Sequence, residues 1–207
     1  MNNKTKYFLL FNLICSILLS WSCNTRKKAK SDIEVVFTPD TLTTGYTYWW
    51  PESGPFIGEC STELSLVFRG IVTGLEKPTE EAGPLYTSQN GIIRIEQLYK
   101  IKDLGGNKYT NQNYFKSDCF SGLDLKVGDA VLVSCYDYEG DFTIPGKKSI
   151  LKISGDSDPI IKSIKKYIDK DQNPIKIRKD LKVWKKHQLD TALEKQILCK
   201  KEMLKNN

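Results

Sequence analysis

The sequence predicts a mainly β domain followed by C-terminal helices, and three observations carry that reading. Apolar and polar residues alternate through several short runs between residues 64 and 153. Turn signals such as Leu104-Gly105-Gly106-Asn107 and Lys126-Val127-Gly128-Asp129 separate those runs. After Ser157 the apolar period lengthens from two residues to that of a helix.

The chain opens with Lys4 and Lys6 ahead of Tyr7–Leu19, a mostly apolar run of 13 residues. A membrane-spanning helix needs about 20 apolar residues, so this run has the length of a signal-peptide core instead. Ser20-Trp21-Ser22-Cys23-Asn24 follows and resembles a lipobox, the lipidation signal of bacterial lipoproteins. Ser22 is the small residue before the cysteine; Ser20 stands where Leu is usual, and Leu18 and Leu19 lie one step early. The resemblance implies cleavage after residue 22 and a lipid-bearing Cys23, with two or more acyl chains giving a stable bilayer anchor. Asn rather than Asp at position 24 implies the outer membrane, with the protein facing the periplasm. The other reading is an ordinary signal peptide with an incidental cysteine. The expected division is a signal peptide over 1–22, lipidated cysteine and tether over 23–44, a β-barrel domain over 45–155 and a basic helical segment over 156–207.

Charge is placed unevenly. From Asp158 onward 14 Lys/Arg face 7 Asp/Glu, whereas residues 1–157 hold 17 against 18. Lys162, Lys165 and Lys166, then Lys182, Lys185 and Lys186, form two clusters. They read as a solvated helix face or as a surface attracted to anionic headgroups and envelope polymers. Nucleic acid is a poor partner for a chain exported from the cytoplasm.

Six cysteines divide by position. Cys15 leaves with the signal and Cys23 takes lipid. Cys60, Cys119, Cys135 and Cys199 remain, an even number suited to two disulfides in an oxidising compartment. Four cysteines allow three connectivities, and spacing does not choose among them. No C-x-x-C is present and His187 is the only histidine, so a zinc site lacks ligands and no cofactor is expected.

Asn24–Lys30 is polar and basic and suits a tether. Thr38–Gly58 holds three prolines and three glycines, so the expectation is irregular structure. The same stretch carries Tyr46, Tyr48, Trp49, Trp50 and Phe56, aromatics able to stack on a glycan or peptide, or to pack across a barrel mouth. Strands are expected over Leu64–Val72, Ile92–Ile101, Tyr109–Lys116, Ala130–Tyr138 and Ser149–Ile153. In the second, Ile93, Ile95, Tyr99 and Ile101 should share one face, with Arg94, Glu96 and Lys100 on the other. Five strands with short connections read as a small barrel or sandwich. Ile160, Ile161, Ile164, Tyr167 and Ile168 recur at helical spacing behind Asp158-Pro159, a capping pair. Asp171–Pro174 breaks that helix. A second is expected over Leu181–Leu204, with Leu189, Leu193 and Ile197 as its apolar stripe and Cys199 near its end.

Within this pattern Leu66-Val67-Phe68-Arg69-Gly70-Ile71-Val72-Thr73-Gly74 resembles the first core strand of the netrin-like module shared with tissue inhibitors of metalloproteinases. Ile95-Glu96-Gln97-Leu98-Tyr99-Lys100 is similar to that family's next strand. Cys119, Leu123, Gly128 and Val131-Leu132-Val133 resemble its later block, so the likeness covers about residues 60–155. It implies a five-stranded OB-type barrel with flanking helices. It also implies the pairings Cys60–Cys119 and Cys135–Cys199.

The family's inhibitory chemistry does not carry over. Those inhibitors chelate zinc through the free amine of an N-terminal Cys-x-Cys, and here Gly58 stands where the partner of Cys60 would be. No glycine-rich phosphate loop, G-x-S-x-G elbow or H-E-x-x-H is present. The expected role is a lipid-anchored binding or scaffolding module for an envelope protein or glycan. The alternatives are an enzyme working through carboxylates alone, Glu52 with Glu59 or Asp137 with Asp141, and a purely structural envelope protein.

Overall fold

The computed structural model describes residues 29–45, 53–58, 60, 64–79, 87–104 and 109–206. One curled sheet carries seven strands: β1 (Thr38–Thr44), β2 (Leu64–Leu75), β3 (Gly91–Ile101), β4 (Gln112–Ser117), β5 (Ala130–Tyr138), β6 (Asp141–Thr143) and β7 (Ile150–Lys152). Their order is β1-β4-β3-β2-β5-β6, with β7 also paired to β5. Helices follow: α1 (Pro159–Asp169), a 3-10 helix (Pro174–Asp180), α2 (Leu181–Lys185) and α3 (Asp190–Asn206). The mainly β architecture with C-terminal helices is the one expected; the strand count is seven rather than five.

Strand β2 is the centre of the sheet, pairing antiparallel with β3 on one side and β5 on the other. Both of its faces are buried. Leu66, Phe68 and Val72 join Ile93, Ile95, Phe115, Val131 and Val133 in a core on the concave side. Leu64 and Val67 turn to a second core beneath the helices, with Leu132, Tyr136, Ile164, Tyr167 and Trp184. A strand covered on both faces reads as a near-continuous apolar run, which is how Leu64–Phe68 is written.

The helical layer is organised around Trp184, which is fully buried. Phe56 meets its ring edge-on at 4.6 Å and Tyr167 at 5.5 Å. The indole N–H donates to Ser163 Oγ at 2.9 Å, and that hydroxyl donates to Asp180 Oδ2 at 3.1 Å, so the buried polar atoms are paired. Asp158 caps α1 as expected, accepting from Ile160 N at 3.0 Å. The helix ends where Asp171 and Gln172 adopt positive φ. Gln172 then accepts from Leu64 N through Oε1 at 2.6 Å, tying the helix end to the start of β2.

Several expectations need correction. The expected tether over 23–44 includes β1, which lies parallel to β4 in the sheet; its Thr-rich sequence gives β-propensity without an apolar run to signal it. β6 is an added strand only three residues long, too short for alternation to mark it. The long second helix is two helices, broken where Gln188 has φ 57 between α2 and α3. Its stripe of Leu189, Leu193 and Ile197 is buried as expected.

The disulfide joins Cys60 to Cys199, replacing the pairings Cys60–Cys119 and Cys135–Cys199. Cys60 lies against α3, where Gln196 Nε2 also donates to Gly58 O at 2.6 Å. Cys119 and Cys135 sit in the concave core as buried thiols. The sheet therefore separates Cys60 from Cys119, and a bond between them would have to pass through it.

Replacing Trp184 by Ala should cost about 3–5 kcal/mol, the range for emptying a large aromatic site. Urea unfolding followed by circular dichroism measures it. A loss below about 1 kcal/mol would mean that the helical layer does not depend on this side chain.

A candidate binding cleft on the helical face of the sheet

Strand β4 is short and pairs with β3 only over Gly91–Arg94. The rest of β3, from Ile95 to Ile101, is met on that side by the segment running from Ala29 into β1. Ile33 forms a single antiparallel bridge with Leu98, and Gln97 Nε2 donates to Ile33 O at 3.0 Å. Helix α1 holds the same segment: Ser31 N donates to Asp169 Oδ1 at 2.9 Å, Lys165 Nζ to Asp32 Oδ1 at 3.0 Å, and Lys30 pairs with Asp171. Between this segment, β2, β3 and α1 lies a cleft of about 780 Å³.

Two β-bulges aim side chains into this region. Arg69 pairs with Gln97 and Gly70 with Ile95, so Glu96 is an extra residue; Val67 pairs with Lys100 and Phe68 with Leu98, so Tyr99 is another. Bulges redirect the residues they add. The consequence departs from simple alternation. Leu98 joins Ile93 and Ile95 in the concave core, whereas Tyr99 turns to the helical side. At Gly70 the strands approach so closely that a Cβ would stand 2.5 Å from Arg94 O, which excludes a larger residue.

Arg69 is the hinge of the electrostatics. Its guanidinium lies 2.5 Å from Glu96 and 2.8 Å from Asp156. Glu96 is mostly buried and also receives Arg94 at 2.9 Å, while the Asp156 side chain is 78% exposed. One partner is therefore fixed within the site and the other stands at its mouth. Burial raises the Tyr99 phenol above its ordinary pKa, against the hydrogen bond and charge of Arg69, so it remains a donor at neutral pH. Lys165 stands 5.8 Å from the centroid of the Tyr99 ring, and Ile161 supplies an apolar wall. Such a site can pair with an acidic group, hydrogen-bond a polar one and pack an apolar one.

Cys23, Tyr46, Tyr48, Trp49, Trp50, Glu52 and Glu59 lie outside the described residues. Phe56, at the far end of the aromatic stretch, is core. Asp137 is engaged at both oxygens, by Lys102 Nζ at 3.1 Å and Gly140 N at 3.0 Å, in the hairpin where Tyr138 pairs with Asp141. His187 lies between α2 and α3, and burial holds its pKa below the ordinary value. Lys165 and Lys166 are ion-paired with Asp32 and Asp180, while Lys162, Lys182, Lys185 and Lys186 are exposed. Among the described residues no group of three His, Cys, Asp or Glu side chains is placed to hold a metal ion.

The sequence pattern marks Arg69, Glu96 and Tyr99 as strand residues and does not single out Asp156. The usable signal was Arg69 inside an apolar strand, a charge that needs buried partners.

Arg69→Gln should destabilise the fold by about 1–3 kcal/mol, since it leaves the mostly buried Glu96 with the more exposed Arg94 as its cation. Asp156→Asn should change stability by less than about 0.5 kcal/mol, as expected of an exposed ion pair. Urea unfolding of both variants tests the assignment. Equal losses would contradict a fixed inner and an exchangeable outer partner.

The chain matches no family model and no curated protein.

Proposed function

We propose that the protein is a lipid-anchored module of a bacterial cell envelope that binds an envelope partner through the cleft at Arg69. The observation that carries the binding reading is the pair of bulges in β3, which deliver Glu96 and Tyr99 to Arg69 while Asp156 holds the outer side of the same guanidinium. A carboxylate on the partner can take the place of Asp156 and pair with Arg69 in a planar, two-bond geometry. The phenol of Tyr99 and the wall of Ile161 then recognise the polar and apolar atoms beside it.

The anchor is the lipobox-like cysteine Cys23, in the outer membrane and facing the periplasm. Its support lies in the leader pattern, with Lys4 and Lys6, the apolar run to Leu19 and Ser22 before Cys23. Ala29 lines the cleft, and the six steps from Cys23 to Ala29 span about 20 Å at most. Anchoring would thus hold the α1 side near the bilayer, with the exposed lysines tuning orientation. The netrin-like, OB-type reading is supported by topology: β2, β3 and β4 run in succession and β5 returns beside β2, a Greek key. Strands β1 and β6 are then additions to a five-stranded plan of β2, β3, β4, β5 and β7.

Cys23→Ser should abolish lipid labelling and release the protein from membranes washed in high salt; continued labelling would contradict the anchor. For the cleft, a photo-cross-linking residue at Glu34, which lines it, should capture an envelope partner that the same residue at exposed Val127 does not. Arg69→Gln should lower that capture about tenfold, the effect of losing one contact of 1.4 kcal/mol. Equal capture at both positions, or capture indifferent to Arg69, would contradict the cleft.

A further inference from the structure

Two cysteine thiols are left after Cys60 and Cys199 are joined, and the curl of the sheet carries them to one place. Cys119 and Cys135 are both buried and belong to the same concave core. Cys119 follows the end of β4, where Ser117 pairs with Thr44 of β1. The Thr44 hydroxyl donates to Phe142 O, and Phe142 and Thr143 pair with Asp137 and Tyr136, the residues that follow Cys135 on β5. The edges β1 and β6 therefore meet through side-chain contact, without a ladder between them. Cys119 stands on one side of that seam and Cys135 on the other.

We propose that Cys119 and Cys135 are a second disulfide site, closed during folding across the seam where the curled sheet meets itself. The proposal rests on the export reading, because a bond of this kind persists only outside a reducing cytoplasm. Oxidation needs a disulfide-donating oxidoreductase or a small disulfide. One thiolate attacks the donor's disulfide to give a mixed disulfide, and the second displaces the donor from it. The protein gains one S–S bond, while the donor's disulfide is reduced to two thiols that carry away both electrons and both protons. Timing follows from burial. It pushes both thiols well above their ordinary pKa, and negative charge on Cys119 raises Cys135 further. The thiolates needed for attack are thus scarce once the core has closed, so the bond forms before β1 and β6 complete the curl. Once made, it is shielded from reductants that reach the half-exposed Cys60–Cys199 bridge.

The test uses the full exported chain, trapped with an alkylating reagent in intact cells, then denatured without reductant and mapped as peptides. The expected map joins Cys119 to Cys135 and Cys60 to Cys199, with none of the four alkylated. Folded protein treated with a mild reductant should lose the Cys60–Cys199 bridge first and keep the other until it unfolds. Alkylation of Cys119 and Cys135 with Cys60–Cys199 intact would overturn the second site and leave the export reading standing. Alkylation of all four would overturn both. Pairing of Cys119 or Cys135 with Cys60 or Cys199 would overturn the site as well.

Discussion

The rest of this structure depends on a sheet that is apolar on both faces. β2 and β5 each send alternate residues to opposite cores: Val131, Val133 and Cys135 to the concave side, Leu132 and Tyr136 to the helices. Neither core is complete alone. The concave one needs the curl that brings β1 against β6, and the other needs Trp184, Tyr167 and Phe56 to cover Val67 and Tyr136. At about 25 cal/mol per Å² of apolar surface, removing the helical layer would expose more hydrophobic area than a domain of marginal stability tolerates. The helices are thus part of the domain, and the basic segment is an integral layer with a charged outer side.

That two-sided sheet explains the position of the cleft. A polar site on the covered face must fall where the cover is incomplete. It does so where β4 stops and β3 continues without a full strand partner, leaving the segment from Ala29 to bridge at Ile33 alone. Bulges at Glu96 and Tyr99 point polar groups into the gap, and Arg69 is held between a mostly buried and an exposed carboxylate. A mostly buried guanidinium with an exchangeable outer partner is organised for recognition, because its geometry is set before a ligand arrives.

The sequence made the long, strongly patterned elements legible. β5 runs over Ala130–Tyr138 as expected, and α1 begins behind Asp158 and ends at Asp169, just before the expected break at Asp171–Pro174. What failed was decided by tertiary context. β1 is a Thr-rich edge strand with two buried residues, Leu42 and Thr44, and no local pattern marks it. The expectation that Tyr99 shares a face with Ile93 and Ile95 fails because the residue inserted at Glu96 shifts the alternation by one, and Ile101 returns to that face after the second insertion at Tyr99. The disulfide expected from family likeness failed because Cys60 belongs to the helical layer and Cys119 to the concave core. Of the cleft, only Arg69 within an apolar strand gave any local sign.

Native-state hydrogen exchange tests the two-sided sheet most directly. If β2 holds both cores together, amides of Leu66–Val72 and of Ile164–Ile168 should exchange with the same free energy, equal to that of global unfolding. They should also lose protection together as urea is added. Helical amides that open several kcal/mol more easily while β2 stays protected would show that the helices detach as a separate unit, and would contradict the account.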